Sequence, residues 1–138
     1  MNKFSLKNIN LIDVQSFKDK EGTMTIIQSN LDIPFRIRRV FSISAISCTR
    51  GNHAHKNCHQ FIVCLSGSLL IYVDDGTLKK TFLLDSASKG LHIPPGFWSY
   101  QEYGSTQTII NVYCDLDYDE TDYIRDYKEY LLFVRKSR

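Results

Sequence analysis

Two histidines two positions apart, His53 and His55, are the residues of this sequence with the clearest chemical potential. They follow Gly51 and precede the apolar run 61–65, which has the composition of a buried strand. Alternate side chains of a strand point to the same face, so the two imidazoles are expected to project into one space. Imidazole titrates near neutral pH, and such a pair can therefore move protons or bind a metal.

The spacing around this pair is similar to the first cupin motif, Gly…His-x-His-x4-Glu-x6-Gly, with Gln60 in the place of Glu and Gly67 as the last glycine. Gly90 and the turn 94–96 (Pro-Pro-Gly) resemble the second cupin motif, but Ser99 stands where that motif has histidine. Gln is a weak neutral ligand and Ser rarely binds Zn or Fe. We therefore expect acid/base chemistry or ligand binding without a tightly bound metal.

The two remaining histidines are weaker candidates for the same site. His92 lies on the strand of the second motif and is expected to face the lumen between the strands. His59 has the opposite strand parity to Gln60 and is expected to point away.

Arg39 is predicted to share a strand face with apolar residues, namely Ile33, Phe35, Ile37, Phe41 and Ile43. A buried guanidinium is costly unless it meets an anion or several acceptors. Two interpretations remain open: a structural arginine paired with a carboxylate, or an arginine that faces a ligand. Arg39 also belongs to a local basic group that suits a small anion and includes Arg36, Arg38 and Arg50.

Short β-rich runs separated by turn residues favour a sandwich or barrel, with candidate strands near 4–12, 23–28, 35–46, 59–66, 68–74, 78–84, 90–93, 97–102 and 108–114. Asp75-Gly76 predicts a tight hairpin turn. From Asp119 onward, apolar residues recur at helical spacing, which predicts one C-terminal helix. The fold expected for residues 1–138 is therefore a single-domain, mainly β, cupin or jelly-roll β-barrel with a C-terminal helix.

Composition limits the classes of partner. A formal net charge of +2 gives no general attraction to nucleic acid. No apolar run is long enough to span a bilayer, and no signal peptide follows Met1. The four cysteines contain no Cys-x-x-Cys pair, which indicates a reducing, cytoplasmic environment. We expect neither a nucleic-acid nor a membrane partner.

Several segments together are similar to one enzyme family, the dTDP-4-keto-6-deoxyglucose 3,4-ketoisomerases, which are small cupins of bacterial deoxyamino-sugar pathways. The match runs from about Pro34 to Tyr130. It is carried by Arg50-Gly51-Asn52-His53-Ala54-His55-Lys56, Leu65-Ser66-Gly67-Ser68, Val73-Asp74-Asp75-Gly76, Leu84-Asp85-Ser86, Lys89-Gly90-Leu91-His92-Ile93-Pro94-Pro95-Gly96 and Tyr118-Asp119-Glu120-Thr121-Asp122-Tyr123-Ile124-Arg125-Asp126-Tyr127.

The resemblance implies a 1,2-carbonyl shift on a dTDP-linked sugar, from C4 to C3, without metal or cofactor. It implies that His53 and His55 are catalytic. We interpret His55 as the principal base and His53 as the partner acid/base or enediolate stabiliser. The predicted substrate-binding residues are Arg39, Arg50, Gln60, His92, Trp98 and Ser99. It further implies a homodimer that exchanges N-terminal strands, and a PLP-dependent aminotransferase that uses the product.

Two departures from the family pattern lie where the sugar is expected. Phe41-Ser42 stands where family members often have Tyr-Tyr, and Ser99 follows Trp98 where they often have His. Two alternatives therefore stay open: another sugar-nucleotide cupin such as a 3,5-epimerase, and a nucleotide-sugar binding module without catalysis.

Overall fold

The computed structural model describes residues 4–138. About half of these residues form strands, and a short 3-10 helix at Leu6–Asn8 precedes them. The strands are β1 (Leu11–Asp13), β2 (Gln15–Asp19), β3 (Gly22–Ile26), β4 (Arg39–Ala45), β5 (Thr49–His55), β6 (Gln60–Ser66), β7 (Leu69–Asp74), β8 (Lys79–Leu84), β9 (Lys89–Ile93), β10 (Trp98–Tyr103), β11 (Thr108–Cys114) and β12 (Tyr123–Ile124). A second 3-10 turn at Glu120–Asp122 precedes β12, and helix α1 (Tyr127–Ser137) follows it.

Two five-stranded antiparallel sheets face each other. The first has the order β1-β9-β6-β11-β4 and the second the order β12-β5-β10-β7-β8. The main core lies between them and includes Ile62, Ile71, Leu91, Ile110 and Val112, all at most 2% exposed. The prediction of a jelly roll with a C-terminal helix is confirmed. The sheets do not close into a barrel, and the architecture is a jelly-roll-like sandwich.

The strand that carries the histidine pair, β5, was not among the predicted strands. Its sequence Thr-Arg-Gly-Asn-His-Ala-His has no apolar alternation, so no periodicity marked it. The predicted strand 35–46 begins only at Arg39. Ile33 and Phe35 precede it and pack with Phe61 in a second cluster, which lies on the other face of β6. The expected single face from Ile33 to Ile43 is therefore wrong before Arg39.

Both chain ends differ from the prediction in detail. Residues 4–12 were expected to form one strand, but only Leu11 and Ile12 of this range belong to β1. The tail was expected to be helical from Asp119, whereas α1 begins at Tyr127, with Asp126 as its N-cap. The side chain of Asp126 accepts the Glu129 N–H at 3.0 Å, which satisfies a free donor of the first turn.

The predicted hairpin turn after β7 is confirmed. β7 and β8 pair in antiparallel register from Leu69↔Leu84 to Asp74↔Lys79. Gly76 has φ +90°, a conformation that glycine adopts without strain. The Asp75 carboxylate accepts the N–H groups of Thr77 and Leu78, both at 2.9 Å.

A two-stranded hairpin, β2–β3, stands apart from both sheets. Its Phe17 and Met24 side chains are 59% and 57% exposed. Hydrogen bonds join it to the segment before β9: the Val14 N–H donates to Ser88 O at 2.9 Å, and the Thr25 hydroxyl donates to Ala87 O at 3.4 Å. Within residues 4–138, no helix is both long enough and apolar enough to cross a bilayer.

Candidate active site

A cavity of about 240 Å³ opens between the two sheets near the histidine pair. Both sheets contribute to it: β4, β6 and β11 from the first, and β5, β10 and β12 from the second. The lining residues are Phe41, Ile43, Arg50, Gly51, His53, Gln60, Gln101, Val112, Tyr123 and Arg125. A larger cavity of about 660 Å³ lies elsewhere, beside Phe4, Pro94 and Phe133. Neither His53 nor His55 lines this larger cavity, so we assign the candidate active site to the smaller one.

A bulge in β5 aims its polar side chains into this cavity. Gln101 pairs with Arg50 and Ser99 with His53, so one extra residue stands between the two pairs on β5. The bulge puts Arg50 and His53 on the same face. Gly51 takes φ +94° there, and a Cβ on it would come 3.0 Å from Tyr100 Cα. The predicted loop glycine is therefore what allows the strand to turn its histidines inward.

His55 is held by a carboxylate that the sequence did not reveal. Its Nδ1 lies 2.9 Å from Asp122 Oδ2, and the two side chains are 6% and 7% exposed. Asp122 also accepts the Asn57 N–H at 2.7 Å and the Cys58 N–H at 3.3 Å. A carboxylate only accepts, so we assign the imidazole proton to Nδ1. The Nε2 atom of His55 is then left as an acceptor.

Three buried polar atoms beside the cavity have no hydrogen-bond partner within residues 4–138: Arg39 Nε, His53 Nδ1 and His55 Nε2. An unsatisfied buried polar atom costs about 1–3 kcal/mol, so it rarely persists without a function. His53 lines the cavity while its Nδ1 is buried, and the ring therefore presents Nε2 to the cavity. The rings of His53 and His55 are perpendicular, with centroids 5.0 Å apart.

Burial sets the protonation of the pair. Desolvation and, secondly, neighbouring His55 lower the pKa of His53 to about 4. Desolvation also lowers the pKa of His55, against the opposing effect of Asp122. Both imidazoles are therefore neutral at pH 7, and each offers a lone pair that can accept a proton.

The segment before α1 forms a wall of the site. Tyr123 pairs with His55 in the β12–β5 register, and its ring centroid lies 4.3 Å from that of His55 and 5.0 Å from that of His53. The Arg125 guanidinium lies 4.4 Å from the Tyr123 ring centroid and forms two hydrogen bonds to Glu120. We did not identify Asp122, Tyr123 or Arg125 as site residues from sequence. The segment 118–127 carried the family resemblance, but we interpreted the residues from Asp119 onward as helix.

Arg39 lies beside the cavity, on the inner face of β4. Its guanidinium is 5.6 Å from the ring centroids of both Phe41 and Tyr118, and its Nη2 is 3.5 Å from Cys114 Sγ. Hydrogen bonds, the largest from Cys58 and others from Arg39 and Gln60, lower the pKa of Cys114 to about 7. The ion pairs of residues 4–138 do not include Arg39. The expected carboxylate partner is thus not found there, which favours the ligand-facing interpretation.

The structure brings Arg50, Gln60 and His53 together at the cavity, and Ser99 lies buried opposite His53. It does not bring two other predicted residues there. His92 pairs with Phe61, on the face of the first sheet that packs away from the main core. Its Nε2 is 2.9 Å from Nδ1 of His59, and the two rings stack.

Trp98 also lies outside the cavity. It pairs with Ala54 and Asp74, on the opposite face of β10 from Ser99. Its ring contacts Tyr127 and Tyr130 of α1, with centroids at 5.2 and 5.7 Å. The predictions that His92 and Trp98 bind substrate are therefore not supported, because strand parity turns both side chains outward.

One group of described residues has atoms close enough to hold a metal ion. His55, Cys58 and Asp122 have ligand atoms within 4.8 Å of one another. All three are already engaged: His55 and Asp122 bond each other, and Cys58 Sγ donates to His59 O at 3.3 Å. The hydrogen bond with Cys114 and then burial raise the pKa of the Cys58 thiol, which opposes thiolate ligation. These contacts indicate that Asp122 orients His55, and they argue against a cation site formed by the three residues.

Arg39→Ala is expected to weaken binding of an anionic ligand by about 2–5 kcal/mol, the usual cost of breaking a buried charge pair at an interface. Arg39→Lys should keep only part of the binding affinity, because an ammonium group cannot form the two parallel hydrogen bonds of a planar guanidinium. Calorimetric titration beside thermal melts measures both effects. Arg38→Ala is the matched control, since Arg38 is half-exposed and pairs with Asp117. A large loss of stability with unchanged affinity would instead make Arg39 structural.

Comparison with known proteins identifies relatives along nearly the whole chain. Residues 7–135 match the sequence profile of the family described as FdtA: WxcM-like, C-terminal. The chain is 36% identical over 128 residues to the TDP-4-oxo-6-deoxy-alpha-D-glucose-3,4-oxoisomerase of Aneurinibacillus thermoaerophilus, covering 91% of this chain and 92% of that protein.

The solved structures agree with the sequence relatives. QdtA, a sugar 3,4-ketoisomerase from Thermoanaerobacterium thermosaccharolyticum crystallised in complex with TDP, matches with a TM-score of 0.90 and 37% identity. The match covers 96% of this chain and 98% of that chain. A histidine-to-asparagine variant of the same enzyme in complex with TDP-4-keto-6-deoxyglucose also matches with a TM-score of 0.90, at 36% identity, covering 96% and 97% of the two chains.

Proposed function

Because this chain belongs to the FdtA family, we propose that it is a TDP-sugar 3,4-ketoisomerase acting on TDP-4-keto-6-deoxyglucose. The enzyme moves the keto group from C4 to C3 through an enediol. The observation that carries this proposal is the pair of neutral histidines, His53 at the cavity wall and His55 behind it. Each has one buried ring nitrogen, His53 Nδ1 and His55 Nε2, without a hydrogen-bond partner within residues 4–138.

His53 is the proton acceptor that the geometry favours. A general base must come within hydrogen-bond reach of the proton that it removes, and geometry takes precedence over pKa in choosing it. His53 lines the cavity and presents Nε2, whereas His55 is buried against Asp122. This reverses the roles expected from sequence, in which His55 was the principal base. His53 takes the C3 proton, its imidazolium proton exchanges with solvent, and His53 then donates a proton to C4.

Asp122 and His55 support that base from behind. Asp122 fixes the His55 proton on Nδ1, which makes Nε2 an acceptor. His53 Nδ1 must carry a proton when its Nε2 is the base, which makes Nδ1 a donor. The two unpartnered atoms are thus a donor, His53 Nδ1, and an acceptor, His55 Nε2, on rings whose centroids are 5.0 Å apart. We infer that they pair when substrate turns the His53 ring, which orients Nε2 and stabilises the imidazolium that forms.

The remaining cavity residues suit the rest of the ligand. Arg50 and Arg125 bring positive charge to the cavity, as a diphosphate requires. Gln60 lines the cavity and its Nε2 is 3.9 Å from Cys114 Sγ, so its amide oxygen remains for a sugar hydroxyl. Ser99 is opposite His53 and offers a hydroxyl to the same region.

Incubation with TDP-4-keto-6-deoxyglucose in D2O, with excess EDTA, tests the proposal. We expect a 3-keto product with deuterium at C4, formed at the same rate with and without chelator. Deuterium at C3 and C5 with the ketone left at C4 would indicate a 3,5-epimerase. Saturable binding without exchange would indicate a binding module. Loss of activity in EDTA, restored by one divalent ion, would contradict the metal-free mechanism.

We further propose that the protein is a homodimer joined through the β2–β3 hairpin. A lone hairpin is marginally stable, and this one exposes Phe17 and Met24. Sedimentation equilibrium should give twice the 16.0 kDa chain mass. The double variant Phe17→Asp/Met24→Asp should give a monomer, whereas Leu78→Asp, at a position 65% exposed, should not. A monomeric parent, or an unchanged mass in the double variant, would contradict the proposal.

The chemistry of the product indicates the next step. A 3-keto sugar is a substrate for transamination, so we propose a PLP-dependent aminotransferase as the downstream enzyme in deoxyamino-sugar biosynthesis for surface glycans such as lipopolysaccharide. The four free cysteines support a reducing, cytoplasmic location. A cell-fractionation blot would test that location.

A further inference from the structure

The carbonyl shift needs two separate proton movements, and the histidine pair accounts for one. A hydrogen leaves C3 and arrives at C4, which His53 can perform. A second proton must leave the C3 hydroxyl and arrive at the C4 oxygen, because the hydroxyl and the ketone exchange places. A group that touches both oxygens and both accepts and donates a proton would perform this second transfer. A phenol has these properties.

Tyr123 is the cavity residue with a phenolic hydroxyl. The cavity is also lined by Phe41, whose ring carries no hydroxyl. Tyr123 is half-buried and packs its ring on both histidines. Against desolvation, Cys114 and then Tyr123 raise the pKa of Arg39, whose Nε is one of the unpartnered buried atoms. A phenylalanine would fill the same space, so packing alone does not require the hydroxyl.

Resting on the proposed function, we propose that Tyr123 is a further catalytic residue, whose hydroxyl relays the proton from the C3 oxygen to the C4 oxygen. Because Tyr123 packs on both histidines, its hydroxyl would lie near C3 and C4 of a sugar bound in the cavity. Arg125, whose guanidinium lies 4.4 Å from the Tyr123 ring centroid, and Arg39 beside the cavity stabilise negative charge that develops on either oxygen.

The steps balance without an added oxidant or reductant. In the first half, His53 takes the C3 proton and the C–H electron pair forms the C3=C4 double bond. The C4 carbonyl π pair moves onto the C4 oxygen, and the neighbouring arginines stabilise the resulting enolate. In the second half, Tyr123 gives its proton to the C4 oxygen and receives the proton of the C3 hydroxyl. The released O–H pair forms the C3 carbonyl, and the C3=C4 π pair takes a proton back from His53 at C4. Both residues end in their starting protonation states.

Tyr123→Phe tests this role because it removes the hydroxyl and keeps the ring. We expect kcat to fall about 10²-fold or more, the usual contribution of a positioned proton-transfer group, with KM within a few-fold. Deuterium from D2O should still enter C3 of the unconverted substrate, because the base is intact. The ratio of exchange to turnover should therefore rise above that of the parent. A purely structural role would not raise this ratio.

Tyr72→Phe is the matched control. Tyr72 lies on β7, stacks on Tyr100 and donates to Glu102 at 3.0 Å, away from the cavity. Its removal should change neither kcat nor the exchange ratio. A Tyr123→Phe enzyme with kcat within a few-fold of the parent, or one that loses exchange and turnover in parallel, would overturn the relay. A parent enzyme that does not form the 3-keto product at all would instead overturn the proposed function.

Discussion

His53→Asn should lower kcat for ketoisomerisation by about 10²–10⁴-fold, the range expected for loss of a general base. The substitution removes the Nε2 lone pair that faces the cavity, and the amide side chain is a very weak base. Deuterium exchange at C3 of the substrate should be lost together with turnover, because both begin with removal of the C3 proton. Binding of TDP should be preserved, since the imidazole is neutral at pH 7 and contributes no charge. Single-turnover assays in D2O and calorimetric titration measure these effects.

His55→Asn distinguishes the role of His55 from that of His53. In this variant His53 keeps its place at the cavity wall, so exchange at C3 should be weakened less than in His53→Asn. The reverse order, with exchange kept in His53→Asn and lost in His55→Asn, would return the base to His55. His59→Asn is the control, because His59 stacks on His92 away from the cavity. It should leave kcat within a few-fold of the parent.

The pH dependence gives a second test of the base. Because burial lowers the pKa of His53 to about 4, the free enzyme protonates this base only in acid. We expect kcat/KM to stay level from pH 7 to about pH 5 and to fall as the pH approaches 4. An acid limb near 6.5 would mean that the catalytic histidine is not desolvated.

The histidine pair could be predicted because its evidence is local. A spacing of two residues places His53 and His55 on one strand face whatever the rest of the fold does. The hairpin at Gly76 could be predicted for the same reason, since turn chemistry depends on a few neighbouring residues. The side of the sheet that faces the cavity is not local information. The outward placement of His92 and Trp98 depends on which face of β9 and β10 packs on the core.

The partners of the histidines could not be found from spacing. Asp122 meets His55 across 67 residues of chain, a contact that only the folded sandwich creates. The segment from Glu120 to Arg125 also carried a misleading pattern. Its apolar residues continue the period of α1, so it was predicted as helix although Tyr123 and Ile124 form a strand. An edge strand of two residues has too few positions to show alternation, and the neighbouring helix dominated the prediction.

Asp122→Asn is expected to lower kcat by about 10²–10⁴-fold, because it disturbs the tautomer of His55. In hydrolase triads the same exchange costs on the order of 10⁴-fold for this reason. An amide has one acceptor oxygen, whereas Asp122 accepts through both oxygens. If the amide nitrogen faces His55, it donates to Nδ1 and moves the imidazole proton to Nε2. His55 Nε2 would then meet the His53 Nδ1–H as a second donor, and the support behind the base would be lost.

The same substitution should also reduce stability. In either amide orientation, the NH2 group meets a backbone N–H of Asn57 or Cys58, and one buried donor loses its acceptor. We expect a loss of about 1–3 kcal/mol in the free energy of unfolding. Asp117→Asn is the control, since Asp117 is 72% exposed and pairs only with Arg38 among residues 4–138. Nitrogen NMR of the imidazoles, beside kcat and urea melts, separates the two effects. A shift of the His55 proton to Nε2 with a large fall in kcat would support the role of Asp122 and His55 behind the base. Reduced stability with an unchanged kcat per folded molecule would make Asp122 a structural anchor alone.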